Sequence, residues 1–325
     1  MKNSFSHLRV SSEFSITQGL LTINQIIDSA VKHNIPSVAL TDKSNMFGLV
    51  KFFNKCEAAG IKPISGSSIR VAFEEDDQSH ELLCLAKTNQ GHKNLMRIIS
   101  LAHNNYNFQT PIIDFASLTQ LKDDIVVISG GKDSHIFNLL KRNKTEDAEK
   151  RIDQFLKAFD NDFVLEVQRT NRLDENEYFA NLLPLSSKKG IPLIATNDVL
   201  FSKEEDFDIH ETKVCINTGK TLNDPNREKL FSKEQYFKSS AEMEGLFDGF
   251  DELISNTIEI SKKCNVSIHT KNYFLPEYPV PKEHDFDSFL VDLSSKRLDV
   301  YINKFDDTKT KIYLDRLRYE LDQIK

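Results

Sequence analysis

Tryptophan is absent from the 325 residues, and phenylalanine supplies most of the aromatic content. Cysteine occurs four times, at Cys56, Cys84, Cys215 and Cys264, far apart and with no Cys-x-x-Cys pair. That spacing excludes the common zinc and redox motifs, and two of the four sit in apolar runs where a buried thiol behaves as a small hydrophobe. A reducing compartment is expected. No segment approaches the roughly 20 apolar residues of a membrane span, and residues 1–3 lead into a strand-like run without an apolar signal region. The expected location is the cytoplasm, with no membrane partner. Positive charge is in deficit, 42 Lys and Arg against 49 Asp and Glu, a net charge of -7. Binding nucleic acid by bulk attraction to phosphates is therefore disfavoured.

What the chain does have is a core-forming apolar fraction of 39% and more length than one domain usually needs. Short β-branched runs alternate with amphipathic ones for about two hundred residues, the order of parallel strands with crossover helices. Strands are expected over 6–10, 37–41, 63–73, 81–87, 124–129, 163–168 and 192–197, and seven strands suit a barrel. Ala148, Ile152, Phe155, Leu156 and Phe159 form one apolar helical stripe, with Thr145 as its N-cap. A helix over 174–189 contains Pro184, which should kink or end it, and Gly190 fits its C-terminal cap.

Beyond Phe201 the capping-box pattern recurs at Ser202 to Glu205, Ser232 to Gln235 and Ser239 to Glu242, predicting a series of helices. Pro276, Pro279 and Pro281 then hold an extended connection, and Leu314, Leu317, Leu321 and Ile324 would line one face of a final helix. No capping glycine follows, so the chain is expected to be a fragment that stops in mid-element. The acidic run Glu74-Glu75-Asp76-Asp77 reads as a solvated hairpin tip, and Gly130-Gly131-Lys132 as a plain turn, since it lacks the rest of a phosphate loop. Ser11 and Ser12 have no histidine placed to activate either as a nucleophile. The nine histidines are scattered, with no His-x-x-x-His or Glu-x-x-His set.

The segments His7 to Gly19, Ala39 to Gly48, Gly60 to Gly66, Leu85-Ala86-Lys87 with Asn94-Leu95, and Ala195-Thr196-Asn197-Asp198 resemble the polymerase and histidinol phosphatase (PHP) domain. Thr221-Leu222-Asn223-Asp224-Pro225 and Tyr273-Phe274-Leu275-Pro276 extend the likeness to the amino-terminal part of bacterial DNA polymerase III alpha subunits, over essentially the whole chain. The resemblance implies an α/β fold: a distorted seven-stranded, TIM-like β/α barrel over 1–270, then a mainly helical linker and the beginning of the polymerase palm over 271–325.

Metal-binding members of the family hold divalent ions with nine imidazole, carboxylate and thiolate side chains at the strand ends, groups that offer a lone pair without competing positive charge. Carried over by position, these fall on Arg9, Ser11, Gln18, Lys43, Ser68, Glu81, Gly131, Asp198 and Leu200. Asp198 alone keeps the family residue; at Glu81 a one-residue shift would bring in His80. Asp198 also has a plainer reading, bonding turn amides beside Asn197. Arg9 and Lys43 would repel a divalent ion, and are expected to replace the lost charge by pairing with Asp198 and with Glu81 or Glu13.

The resemblance thus implies a catalytically inactive scaffold within a replicative polymerase, a nucleotidyltransferase, that binds no cofactor itself. Mg2+ would belong to palm aspartates beyond Lys325. The implied partners are the proofreading exonuclease (epsilon) subunit, the rest of the holoenzyme and primer-template DNA. A residual metal-dependent phosphoesterase or nuclease is the enzyme alternative, and a binding module unrelated to replication is the third.

Overall fold

The computed structural model describes residues 5–74, 78–104, 110–270, 273 and 275–324. Two compact units emerge, Met1–Ile268 and His269–Lys325. The first is built on one seven-stranded sheet of β1 (Ser37–Leu40), β2 (Lys62–Ala72), β3 (Ser79–Ala86), β4 (Ile112–Asp114), β5 (Ile125–Ile128), β6 (Phe163–Gln168) and β7 (Leu193–Thr196). Its order is β1-β2-β3-β5-β6-β7, with β4 paired to β2.

The sheet is mixed: β3 runs antiparallel to both β2 and β5, which departs from the parallel order read from the alternation and agrees with the hairpin read at 74–77. The reason is chain length: residues 73–78 are too few for a crossover helix, so β3 must return as a hairpin partner. Six of the seven expected strands appear within about two residues of their expected ends.

Residues 6–10 form no continuous strand, although they lie between the two edges of the curled sheet. His7 bridges to Val38 on one side and Val10 to Val199 on the other. The ladder is broken because side-chain hydroxyls take its amides: Thr257 accepts from the N–H of Ser6 at 3.1 Å, and Thr41 from that of Val10 at 2.9 Å. The seventh strand is instead β4, three residues long and without a sequence pattern that marked it.

Alternation along the strands sorts the core into two layers. Leu8, Ala39, Ile64, Leu83, Leu85, Val126, Ile128, Val164 and Ile194 point inward as one cluster, and the larger cluster lies between sheet and helices. The helix Asp251–Lys263 closes the end at which the parallel strands begin. Its Ile260, with the following Cys264, completes the inner cluster. Asn256 donates to the Leu193 carbonyl at 2.9 Å, and Ser261 to the Ser37 hydroxyl at 2.7 Å. Only the opposite end is left for a site.

The helix Thr145–Phe159 buries Ala148, Ile152, Phe155 and Phe159 as expected, with Leu156 half-buried; Lys144 rather than Thr145 is its N-cap. Glu175–Lys189 runs straight through Pro184 and ends at Gly190, whose φ is 66°. Pro184 and Ala180 are both exposed, so water can take the carbonyl that the missing amide leaves open. Of the three capping boxes, Ser239 and Glu242 form one, opening Ser240–Leu246. Ser202 is followed by a 3₁₀ turn, Glu204–Asp206, leading into Phe207–Thr218. Ser232 opens no helix: Gln235 accepts from the N–H of Leu200 at 2.9 Å and Phe237 donates to the Phe201 carbonyl at 3.1 Å, so this stretch lies extended beside 200–201.

The second unit contains the helices Phe286–Ile302 and Asp307–Ile324. Of the four residues expected along one face of the last helix, Leu321 is buried and Leu317 half-buried, whereas Leu314 and Ile324 are exposed. Asn272 and Phe274 of the expected proline-rich linker, and Glu75 to Asp77 of the acidic run, lie outside the described residues.

His7 locks the interrupted strand. Its Nε2 donates to the Lys238 carbonyl at 2.8 Å and its ring lies 4.2 Å from that of Phe237. Burial pushes the imidazole pKa down from 6.5 to about 4. The folded state therefore stays neutral while the unfolded chain takes up a proton, so stability falls as pH drops from 6.5 towards 4. The full effect is about 3 kcal/mol. Denaturant titrations of His7→Gln between these pH values should show a flatter acid limb than wild type; an unchanged slope would contradict this.

Candidate functional site

At the open end, the same alternation that builds the inner apolar layer carries polar residues inward. On β6, Val164 is followed on its face by Glu166 and Gln168; on β7, Ile194 is followed by Thr196. Antiparallel β3 presents its beginning here, with Glu81 two residues before Leu83. Into this ring comes Arg9 from the interrupted strand.

Arg9 is 4% exposed. Its Nε and Nη2 each donate to one Glu166 carboxylate oxygen at 2.8 Å, and Nη1 donates to Glu81. Lys43 donates to the other Glu81 oxygen at 3.1 Å. Two cations thus face two carboxylates, and the cluster is locally neutral. Glu166 also accepts from Thr196 and, at 3.2 Å, from Gln168. The planar fork of arginine explains the residue type, since a lysine cannot make the paired bonds.

Protonation states follow from this packing. Burial by itself would discharge Arg9, but Glu166 and Glu81 outweigh it and raise the guanidinium pKa above its ordinary value. Lys43 is raised in the same way, burial opposing and Glu81 prevailing. Burial also favours a protonated Glu81, yet Lys43 and Arg9 hold its carboxyl well below the usual range. Asp42 differs: it is buried, and burial raises its pKa despite hydrogen bonds from Ser12 and Ser15.

A second tier extends outward. Arg172 donates to Gln168 at 2.7 Å, to Glu175 at 3.1 Å and to Asp198 at 3.3 Å. Gln235 donates to the same Asp198 oxygen at 2.9 Å. Asp198 is therefore held by two side chains rather than by turn amides, and the expected pairing of Arg9 or Lys43 with it is corrected. Glu81 and Glu166 take those cations, and Glu13 is exposed.

The other expected positions converge unevenly. Gln18, Lys43, Ser68 and Glu81 line one cleft of about 380 Å³. Ser11 and Leu200 are buried in backbone pairing, Ser11 N–H to Val199 at 3.0 Å and Leu200 carbonyl to Leu20 N–H at 2.8 Å. Gly131, at φ 59°, lies against Gln168, and a Cβ there would stand 2.9 Å from that amide. A side chain at 131 would displace the Gln168 amide and adopt a left-handed backbone. His80 faces away from the cleft and stacks on His135 at 4.4 Å, which removes the one-residue shift at Glu81.

Glu166 and Arg172 were missed from the sequence. The signal for Glu166 was present, an acid inside the apolar run Phe163 to Gln168 and in register with inward Val164. Among the described residues no three His, Cys, Asp or Glu side chains are grouped to hold a metal ion. Asp198, expected from the resemblance to keep the family residue, accepts from Arg172 and Gln235. The donor set does not fit a metal cluster.

The PHP domain pattern matches residues 7–170. The chain belongs to the PHP domain family. Over its whole length this PHP chain is 38% identical to DNA polymerase III subunit alpha of Pseudomonas aeruginosa, covering 28% of that relative. It is 38% identical to the same subunit of Escherichia coli K12 over 85% of its own length and 24% of the relative. The chain thus spans 28% or less of the length of these relatives. It is also similar to the crystal structure of a putative metal-dependent phosphoesterase from Bifidobacterium adolescentis, at 12% identity over 60% of this chain and 86% of that one, TM-score 0.44.

Removing one partner of the buried cluster strands the other charge. Glu166→Ala should destabilise the fold by about 3–5 kcal/mol. Arg9→Lys should also weaken it, because the paired bonds to Glu166 are lost. Chemical unfolding measures both, and a loss below about 1 kcal/mol for Glu166→Ala would contradict the arrangement.

Proposed function

We propose that this chain is the PHP unit of a bacterial replicative DNA polymerase alpha subunit, retained as a catalytically silent scaffold and as a docking surface for the proofreading exonuclease. The observation that carries the reading is the Arg9 guanidinium forked onto Glu166 and bonded to Glu81 at the mouth where relatives of this family bind metal. Polymerisation, with its two Mg2+ ions, primer-template DNA and nucleotidyl transfer, then falls to palm aspartates outside these residues. The rest of the holoenzyme would assemble around the same subunit. The second unit, His269–Lys325, is read as the linker and the beginning of that palm.

The scaffold role follows from the cluster's energetics. A divalent ion would meet two fixed cations, whereas the ion pairs that replace it need no metal supply and tie the interrupted strand to β3 and β6.

Purified chain dialysed against zinc or manganese should retain no stoichiometric metal and release no nucleotide from single-stranded DNA ends. Metal retention with hydrolysis that Asp198→Ala abolishes would overturn the silent reading. Co-elution with the proofreading exonuclease in gel filtration tests the docking role, which separate elution would refute.

A further inference from the structure

A groove outside the barrel mouth runs along the helix Thr145–Phe159. It consists of two clefts, of about 560 and 360 Å³, that meet at Arg151 and Gln154. The two halves differ in chemistry. One is apolar, lined by Phe73, Phe115, Ala116 and Ala158, with the two phenylalanine rings 5.3 Å apart. The other carries exposed Arg142, Lys144 and Lys150 beside Asp147. Among the described residues, these three cations and one carboxylate leave two positive charges in excess, on a chain whose net charge is -7.

We propose that this groove docks a partner peptide that places apolar side chains against Phe115, Ala116 and Ala158 and acidic residues against Arg142, Lys144 and Lys150. Charge complementarity sets the direction: Glu74 and Asp114 line the apolar half, so the peptide's acids face the opposite end. Arg142, Lys144 and Lys150 are exposed, and Lys150 reaches Asp147 only at 3.4 Å, so their charge is available to a ligand. Nucleic acid fits the groove less well. Single strands bind through exposed aromatic faces, but Phe73 is buried with Arg151 stacked 3.9 Å over its ring. The apolar half accepts side chains rather than bases.

The inference does not require that the chain belong to a polymerase, and its test needs only the full 325-residue chain. Random peptides about sixteen residues long, displayed on phage, are selected on it and then measured by fluorescence anisotropy. Enriched peptides should combine two or more leucine, isoleucine or phenylalanine anchors with aspartates or glutamates on one side, and bind more weakly as salt rises. Ala116→Arg fills the apolar half, and the pair Arg142→Glu with Lys144→Glu reverses the basic half. All three positions are exposed, so melting should not change. Each variant should weaken binding about tenfold or more. Undiminished binding to the variants, a selection without the acid-and-apolar pattern, or equal competition by single-stranded oligothymidine would overturn the proposal.

Discussion

The structure turns on one buried guanidinium. Arg9 enters the barrel on a segment too irregular to count as a strand, and three of its nitrogens bond Glu166 and Glu81, which belong to strands separated in the sheet by β5. Each carboxylate would be costly alone in the interior, and so would the arginine. Together they are neutral, and the segment that carries Arg9 is held where the ordinary ladder is broken by Thr41 and Thr257.

The same cluster fills the mouth of the barrel with ion pairs. A metal centre needs several lone-pair donors converging with room for the ion. Here the inward positions of β3 and β6 offer carboxylates, but Arg9 and Lys43 already bind them, and Arg172 and Gln235 hold the one retained aspartate, Asp198. The Gln168 amide lies against Gly131. The changes are mutually dependent, which is why restoring a single ligand would leave a cluster of cations rather than a site.

Much of this was legible in the chain. Short β-branched runs located six strands and one apolar stripe located the helix Thr145–Phe159, because both signals are local. The antiparallel course of β3 was legible in the hairpin read at 74–77, although the alternation of strands and helices pointed the other way. Thr145 failed as a cap, Pro184 failed as a helix end and the Ser232 box failed to start a helix. At Pro184 solvent, and at 235–237 the backbone of 200–201, supplied what the local rule assumed was missing.

Partner choice is a different kind of information. Arg9 reaches Glu166 across 157 positions of sequence and Glu81 across 72, and Asp198 finds Gln235 through an extended stretch whose composition suggested a helix. The sequence by itself determined where six of the strands run and which face of the helix Thr145–Phe159 is apolar, because those signals repeat within a few residues. Only the tertiary structure decided which acid neutralises which cation, because that depends on how the curled sheet brings β3, β6 and the interrupted strand within bonding distance.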